Sequence, residues 1–125
     1  MSREYLLSCE ATFDAAHHIP GHPKCGRPHG HRWRVVVTLH LRDAEVPASG
    51  FFVDFGRVKN VLKEFDHTDI NEFMEVPTCE NLATHFARRI ERLLPPLTWW
   101  QITVQVFETP TSSIVCRVTP DNDSE

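Results

Sequence analysis

Between Tyr5 and Phe13 the odd positions Tyr5, Leu7, Cys9, Ala11 and Phe13 are apolar or small, while Ser8, Glu10, Thr12 and Asp14 are polar. That period of two is the signature of a half-buried strand, ending near Phe13. The same period returns from Trp33 to Leu41 through Val35, Val37 and Leu39, with Arg34, Thr38, His40 and Arg42 facing the other way. The stretch between them, Asp14 to Gly30, is rich in Pro, Gly and His and reads as a long surface excursion, a kind of segment that often carries function. After a second loop, Asp43 to Gly50, Asp54 can cap a helix with Phe55, Val58, Leu62 and Phe65 on one face. This helix is expected to run to about Phe65. Thr78 caps a second helix that carries Leu82, Phe86, Ile90 and Leu93 at helical spacing and is stopped by Pro95-Pro96. Ile102, Val104 and Val106 then alternate with polar residues, and a last strand runs through Ile114, Cys116 and Val118. The order strand, strand, helix, helix, strand, strand predicts an α+β domain over residues 1–120. A tail at 121–125 is too polar to pack.

Composition narrows the class of partner. With 125 residues, 41% of them hydrophobic, the chain has enough apolar material for one core. The net charge of -4 gives no basic field for nucleic acid, so a small-molecule partner is expected. No apolar run reaches membrane-span length, and Met1-Ser2-Arg3-Glu4 does not resemble the start of a signal peptide, which predicts a cytoplasmic protein. Cys9, Cys25, Cys79 and Cys116 form no C-x-x-C pair and read as reduced thiols.

The histidines carry the chemistry. His29 and His31 flank Gly30 at the entrance to the second strand, where residues two apart project to the same side and can reach one ion. Gly30 is expected where the backbone runs close to something. If the two strands pair antiparallel, Ala15-Ala16-His17-His18 lies beside His29, and either His17 or His18 would complete the set, since adjacent strand residues face opposite ways. Three neutral imidazoles leave zinc an open fourth position, the catalytic arrangement. His22, His40 and His85 have no such partners and read as ordinary surface or core residues.

Cys25 lies four residues before His29 in the same polar loop, placed either as a proton acceptor or as a fourth metal ligand. Asp66-His67 follows the first helix; the carboxylate can orient the imidazole for proton exchange, or His67 can simply cap the helix end. Glu108 shares the apolar face of Ile102, Val104 and Val106, where a carboxylate needs partners such as the paired N–H donors of a pterin, a purine or a guanidinium.

Together, Phe13-Asp14-Ala15-Ala16-His17, Cys25-x3-His29-Gly30-His31, Asp66-His67, Pro77-Thr78-Cys79-Glu80-Asn81 and Val106-Phe107-Glu108-Thr109 resemble the 6-pyruvoyltetrahydropterin synthase family. The short spacing from Cys25 to His29 resembles its 6-carboxytetrahydropterin synthase branch. The resemblance implies a T-fold with a four-stranded antiparallel sheet and two helices, assembled as a hexamer with sites between subunits. It implies that Zn2+ is held by His17, His29 and His31, that Cys25 is the general base, and that Asp66 and His67 relay a proton. It also implies that Glu108 anchors the pterin and that Thr78 and Glu80 contact substrate. Cys79 stands where relatives usually have Ser or Thr, so only a backbone contact carries over there.

The implied reaction is zinc-dependent conversion of 7,8-dihydroneopterin triphosphate to 6-carboxy-5,6,7,8-tetrahydropterin, with release of acetaldehyde and triphosphate. Its product would feed queuosine or another 7-deazapurine. Lys24, Arg27 and Arg32 are candidates to neutralise the triphosphate or the product carboxylate. The competing readings are a 6-pyruvoyltetrahydropterin synthase or other pterin side-chain lyase, a zinc hydrolase, and a non-catalytic assembly domain with structural zinc.

Overall fold

A computed structural model of the chain describes residues 3–94 and 99–120. The expected helix stop at Pro95-Pro96 and the polar tail at 121–125 lie outside the described residues. Strand β1 spans Glu4–His17 and β2 spans His29–Arg42. They pair antiparallel along their whole length, from Glu4 opposite Arg42 to His17 opposite His29. Both strands run further than the alternation between Tyr5 and Phe13 and between Trp33 and Leu41 predicts. Phe13, Ala15 and His17 continue the buried face of β1, and the excursion shrinks to residues 18–28.

Helix α1, Phe55–Leu62, starts at Asp54, whose carboxylate accepts from the Gly56 N–H at 2.8 Å. It stops three residues short of Phe65, at a Lys63 cap, and Phe65 enters the core from the following turn. Phe55 is exposed; Val58, Val61 and Leu62 form the packed face instead. Helix α2, Cys79–Glu91, starts at Thr78, whose hydroxyl accepts from Asn81 N–H, and buries Leu82, Ala83, Phe86, Ala87 and Ile90. Strands β4, Gln101–Thr109, and β5, Ser112–Val118, form an antiparallel hairpin, with β4 also antiparallel to β2.

The four long strands are antiparallel, as expected, but a fifth makes the sheet mixed. Residues Thr68–Asp69 form β3, parallel to Ala15 and Ala16, and the sheet order is β3-β1-β2-β4-β5. Two residues carry no readable period, which is why the alternation does not announce this strand. The helices cover one face of the sheet, burying Phe13, Trp33, Val35, Val37, Leu39, Ile102, Val104 and Val106 beneath them. No described helix is long and apolar enough to cross a membrane.

Candidate metal centre and active site

The core face of the sheet ends in histidine. Along β1 the inward positions run Cys9, Ala11, Phe13, Ala15, His17, and along β2 they run Val35, Trp33, His31, His29. Alternation and register thus deliver all three imidazoles to one end of one face. Trp33, fully buried and stacked on Phe13, is the floor beneath them; its ring lies edge-on to His17 at 4.9 Å and to His31 at 5.5 Å. Glu108 reaches the same place from β4. It continues the core face of Ile102, Val104 and Val106, at the point where the pairing of β4 with β5 slips between Phe107 and Thr109.

The ligand atoms of His17, His29, His31 and Glu108 lie within 4.8 Å of one another. The Nδ1 atoms of two histidines are already spoken for: His17 Nδ1 donates to the Pro77 carbonyl at 2.8 Å and His29 Nδ1 to the Arg27 carbonyl at 2.7 Å. Because a carbonyl only accepts, each Nδ1 carries the proton and each Nε2 keeps its lone pair. Buried Nε2 of His17 and of His31 have no hydrogen-bond partner, although Glu108 Oε1 lies 3.5 Å from the first and 3.0 Å from the second; the contacts are close but misaligned. Buried nitrogens left without partners are costly, and a cation facing them removes the cost. Burial also pushes the His31 imidazolium below its usual pKa, with Glu108 opposing, so the neutral ligand form is favoured. The cluster is one that could bind a metal ion.

His18 is not part of it. Its N–H donates to Asn71 Oδ1 at 2.8 Å and its carbonyl accepts from Asn71 Nδ2 at 3.0 Å, a clamp that holds it beside the 3-10 turn Ile70–Glu72. Between His17 and His18, it is His17 that continues the inward face of β1 and pairs with His29.

Cys25, Lys24, Arg27, His29, His31 and Glu108 line one cavity of about 420 Å³. A second, of about 520 Å³, opens between β2 and β4 where their pairing stops at Arg34 and Phe107; His31 and Glu108 border it too. Glu108 and His31 therefore stand on the partition between the two spaces. Gly30 lines the larger cavity, and a Cβ built there would meet nothing within 4 Å, so the expected close backbone approach at Gly30 is not found.

The remaining expected residues are not members of the ligand cluster. Asp66 and His67 contact each other at 3.1 Å along the edge of β1, where Asp66 accepts the Asp14 N–H at 3.0 Å and the His67 N–H donates to the Asp14 carbonyl at 2.7 Å; the His67 side chain is 81% exposed. The Asp14 N–H is the first cause that holds the Asp66 carboxyl below its usual pKa, with His67 assisting. Arg32 is engaged with the Asp14 carboxylate through two hydrogen bonds of 3.0 and 3.2 Å, on the outward face of the sheet. Thr78 is occupied as the α2 cap, and Glu80 is exposed in the first turn of α2. Cys79 is buried with its Sγ 3.8 Å from Glu108 Oε2; burial first, then Glu108 and Glu80, pushes its thiol up to about 12.

Three contributors carried no sequence signal as site residues: the Pro77 carbonyl that orients His17, Asn71, and Trp33 as the floor. The first is a backbone atom 60 positions away in the chain, so no side-chain pattern could point to it.

An α+β sheet whose core face ends in three histidines and a carboxylate beside a thiol-lined cavity defines a metal-competent small-molecule enzyme. Residues 6–119 match the family described as 6-pyruvoyl tetrahydropterin synthase. The chain belongs to this family of enzymes. It is 41% identical over 87 residues to a putative 6-carboxy-5,6,7,8-tetrahydropterin synthase of Archaeoglobus fulgidus, covering 66% of this chain and 73% of that one. It is 33% identical over 126 residues to the 6-carboxy-5,6,7,8-tetrahydropterin synthase of Bacillus subtilis, covering 90% and 85%. A dihydroneopterin monophosphate aldolase of Pyrococcus furiosus is 35% identical over 89 residues, covering 68% and 74%. The fold matches Caenorhabditis elegans 6-pyruvoyl tetrahydropterin synthase with a TM-score of 0.68 at 22% identity, over 95% of this chain and 97% of that chain.

Proposed function

We propose that this protein is a zinc-dependent 6-carboxytetrahydropterin synthase, converting 7,8-dihydroneopterin triphosphate and one water to 6-carboxy-5,6,7,8-tetrahydropterin, acetaldehyde and triphosphate. The observation that carries the reading is the convergence of His17, His29, His31 and Glu108 within 4.8 Å, on the wall of the cavity that also holds Cys25. The relatives named for that activity in Archaeoglobus fulgidus and Bacillus subtilis support it.

His17, His29 and His31 hold the ion through Nε2, and zinc when bound supplies Lewis-acid polarisation of the substrate's side-chain hydroxyls. Glu108, on the partition between the two cavities, accepts paired N–H groups of the pterin ring and orients it. Cys25 takes a proton from the side chain. Lys24 and Arg27, on the wall of the same cavity, neutralise the triphosphate. Thr78 and Glu80 approach the pterin at the start of α2, through the backbone where Cys79 replaces a hydroxyl residue.

Asp66 and His67 exchange protons at the site of a neighbouring subunit. Their position at the edge of β1, outside the cluster and with the His67 side chain exposed, supports a site shared between protomers of a hexamer. Asp66 holds the His67 ring from Nδ1 at 3.1 Å, which leaves Nε2 to face the substrate.

Incubation with 7,8-dihydroneopterin triphosphate, with and without a chelator, tests the reading. Acetaldehyde and the carboxypterin form only without chelator; a pyruvoyl product without acetaldehyde would assign the other branch, and turnover indifferent to chelation would remove the metal. The Pyrococcus furiosus relative favours one second reading, aldol cleavage of the monophosphate in the same cavity. Faster turnover of dihydroneopterin monophosphate than of the triphosphate would select it.

A further inference from the structure

The loop at residues 18–28 joins two metal-ligand positions and carries Cys25, yet it contains no helix or strand. One residue, His22, gathers most of its hydrogen bonds, through both ring and backbone. His22 Nδ1 accepts the backbone N–H of Lys24 at 3.1 Å and that of Cys25 at 2.8 Å. The same residue's backbone N–H donates to the Ile19 carbonyl at 3.1 Å, and its carbonyl accepts from Gly26 N–H at 3.0 Å. The Cys25 carbonyl in turn accepts from Ile19 N–H at 2.7 Å. Pro23, the intervening residue, has no N–H to compete. The turn is tight as well: a Cβ at Gly26 would lie 2.6 Å from the His22 carbonyl oxygen.

An acceptor two bonds beyond Cβ that takes the N–H groups of the second and third following residues does what Asn and Asp do in Asx turns. Here histidine supplies that acceptor. Because Nδ1 receives two N–H groups, the ring proton sits on Nε2, and the imidazole has no lone pair left on the loop side for a metal.

We infer that His22 is a positioning residue for Cys25: by gathering the Lys24 and Cys25 amides on Nδ1 it sets the Cys25 thiol on the cavity wall beside His29 and His31. It neither binds the ion nor touches the substrate. The inference rests on the reading of Cys25 as the proton acceptor for its catalytic consequence, but not for its structural one.

The test pairs turnover of 7,8-dihydroneopterin triphosphate with the rate of Cys25 alkylation by iodoacetamide, read at the Cys25 peptide by mass spectrometry. Buried Cys79, with its thiol pushed up to about 12, does not compete for the reagent. His22→Ala is expected to lower kcat about tenfold with KM and metal content unchanged, and to speed Cys25 alkylation several-fold as the loop loosens. His22→Asn keeps an acceptor at the same distance from Cβ and restores both values. His22→Gln moves its acceptor one bond outward and behaves like His22→Ala. Alkylation that is the same in all four proteins, or an Asn variant no closer to wild type than the Ala variant, would overturn the inference. If Cys25→Ala retains full turnover, the base assignment fails, and the alkylation series alone still decides whether His22 positions the thiol.

Discussion

His17 Nδ1 donates to the Pro77 carbonyl at 2.8 Å, across 60 positions of chain, and so ties the end of β1 to the residue just ahead of the α2 cap. The bond fixes the tautomer that leaves Nε2 facing His29, His31 and Glu108. The position of the His17 ring in the cluster and the seating of α2 are thereby linked through one imidazole.

Comparing His17→Ala with His18→Ala isolates the ligand from its neighbour. The first is expected to lose bound metal, measured by elemental analysis of purified protein, and to unfold more readily because Pro77 loses its donor. The second keeps the metal. Loss of metal from the His18 variant alone would reverse the assignment.

Cys25→Ala should keep its metal and its circular dichroism spectrum while kcat falls by about two to four orders of magnitude, the range for losing a positioned proton acceptor. A parallel loss of metal would identify Cys25 as a fourth ligand instead.

For Glu108 the informative change is to Gln, which preserves shape and removes the charge. If the carboxylate anchors the pterin, kcat/KM falls by about tenfold or more, chiefly through KM, and metal content holds. Metal loss without a change in KM of the reloaded enzyme would make it a ligand.

Asp66 gives a pH prediction with a definite sign. Its carboxyl is held below the ordinary value of 3.8, first by the Asp14 N–H, so the folded state binds fewer protons than the unfolded one. The stabilisation is therefore present above 3.8 and is lost as pH falls through the folded value. Urea midpoints measured at about pH 5 and about pH 3 should drop, and the drop should be smaller in Asp66→Asn, which keeps an acceptor for Asp14 but no longer titrates.

Sharing of sites between subunits can be read by complementation. Cys25→Ala and His67→Ala are each expected to be nearly inactive; mixing them by co-refolding should return a measurable fraction of activity, because some sites then draw both intact residues from different chains. Mixed assemblies no more active than either parent would place both residues in one subunit's site.

The alternation of Tyr5 to Phe13 and of Trp33 to Leu41, the Asp54 and Thr78 caps and the apolar faces of α1 and α2 determined the long strands, the two helices and their order, but not the two-residue β3. Period and capping are local properties, settled within a few residues. The same local rule put His29 and His31 on one side of β2. Tertiary structure decided what local rules could not. The continuation of β1 to His17 and its register on β2 brought His17, not His18, against His29 and His31. The pairing of β4 with β2 brought Glu108, already on the apolar face by alternation, to the histidines, and the Pro77 carbonyl gave His17 its tautomer. It also separated Asp66 and His67 from the three-histidine cluster, a separation that adjacency in sequence does not encode. The cluster depends on backbone placement in four distant segments: strand pairing brings β1, β2 and β4 together, and packing α2 on the sheet brings the Pro77 carbonyl to His17.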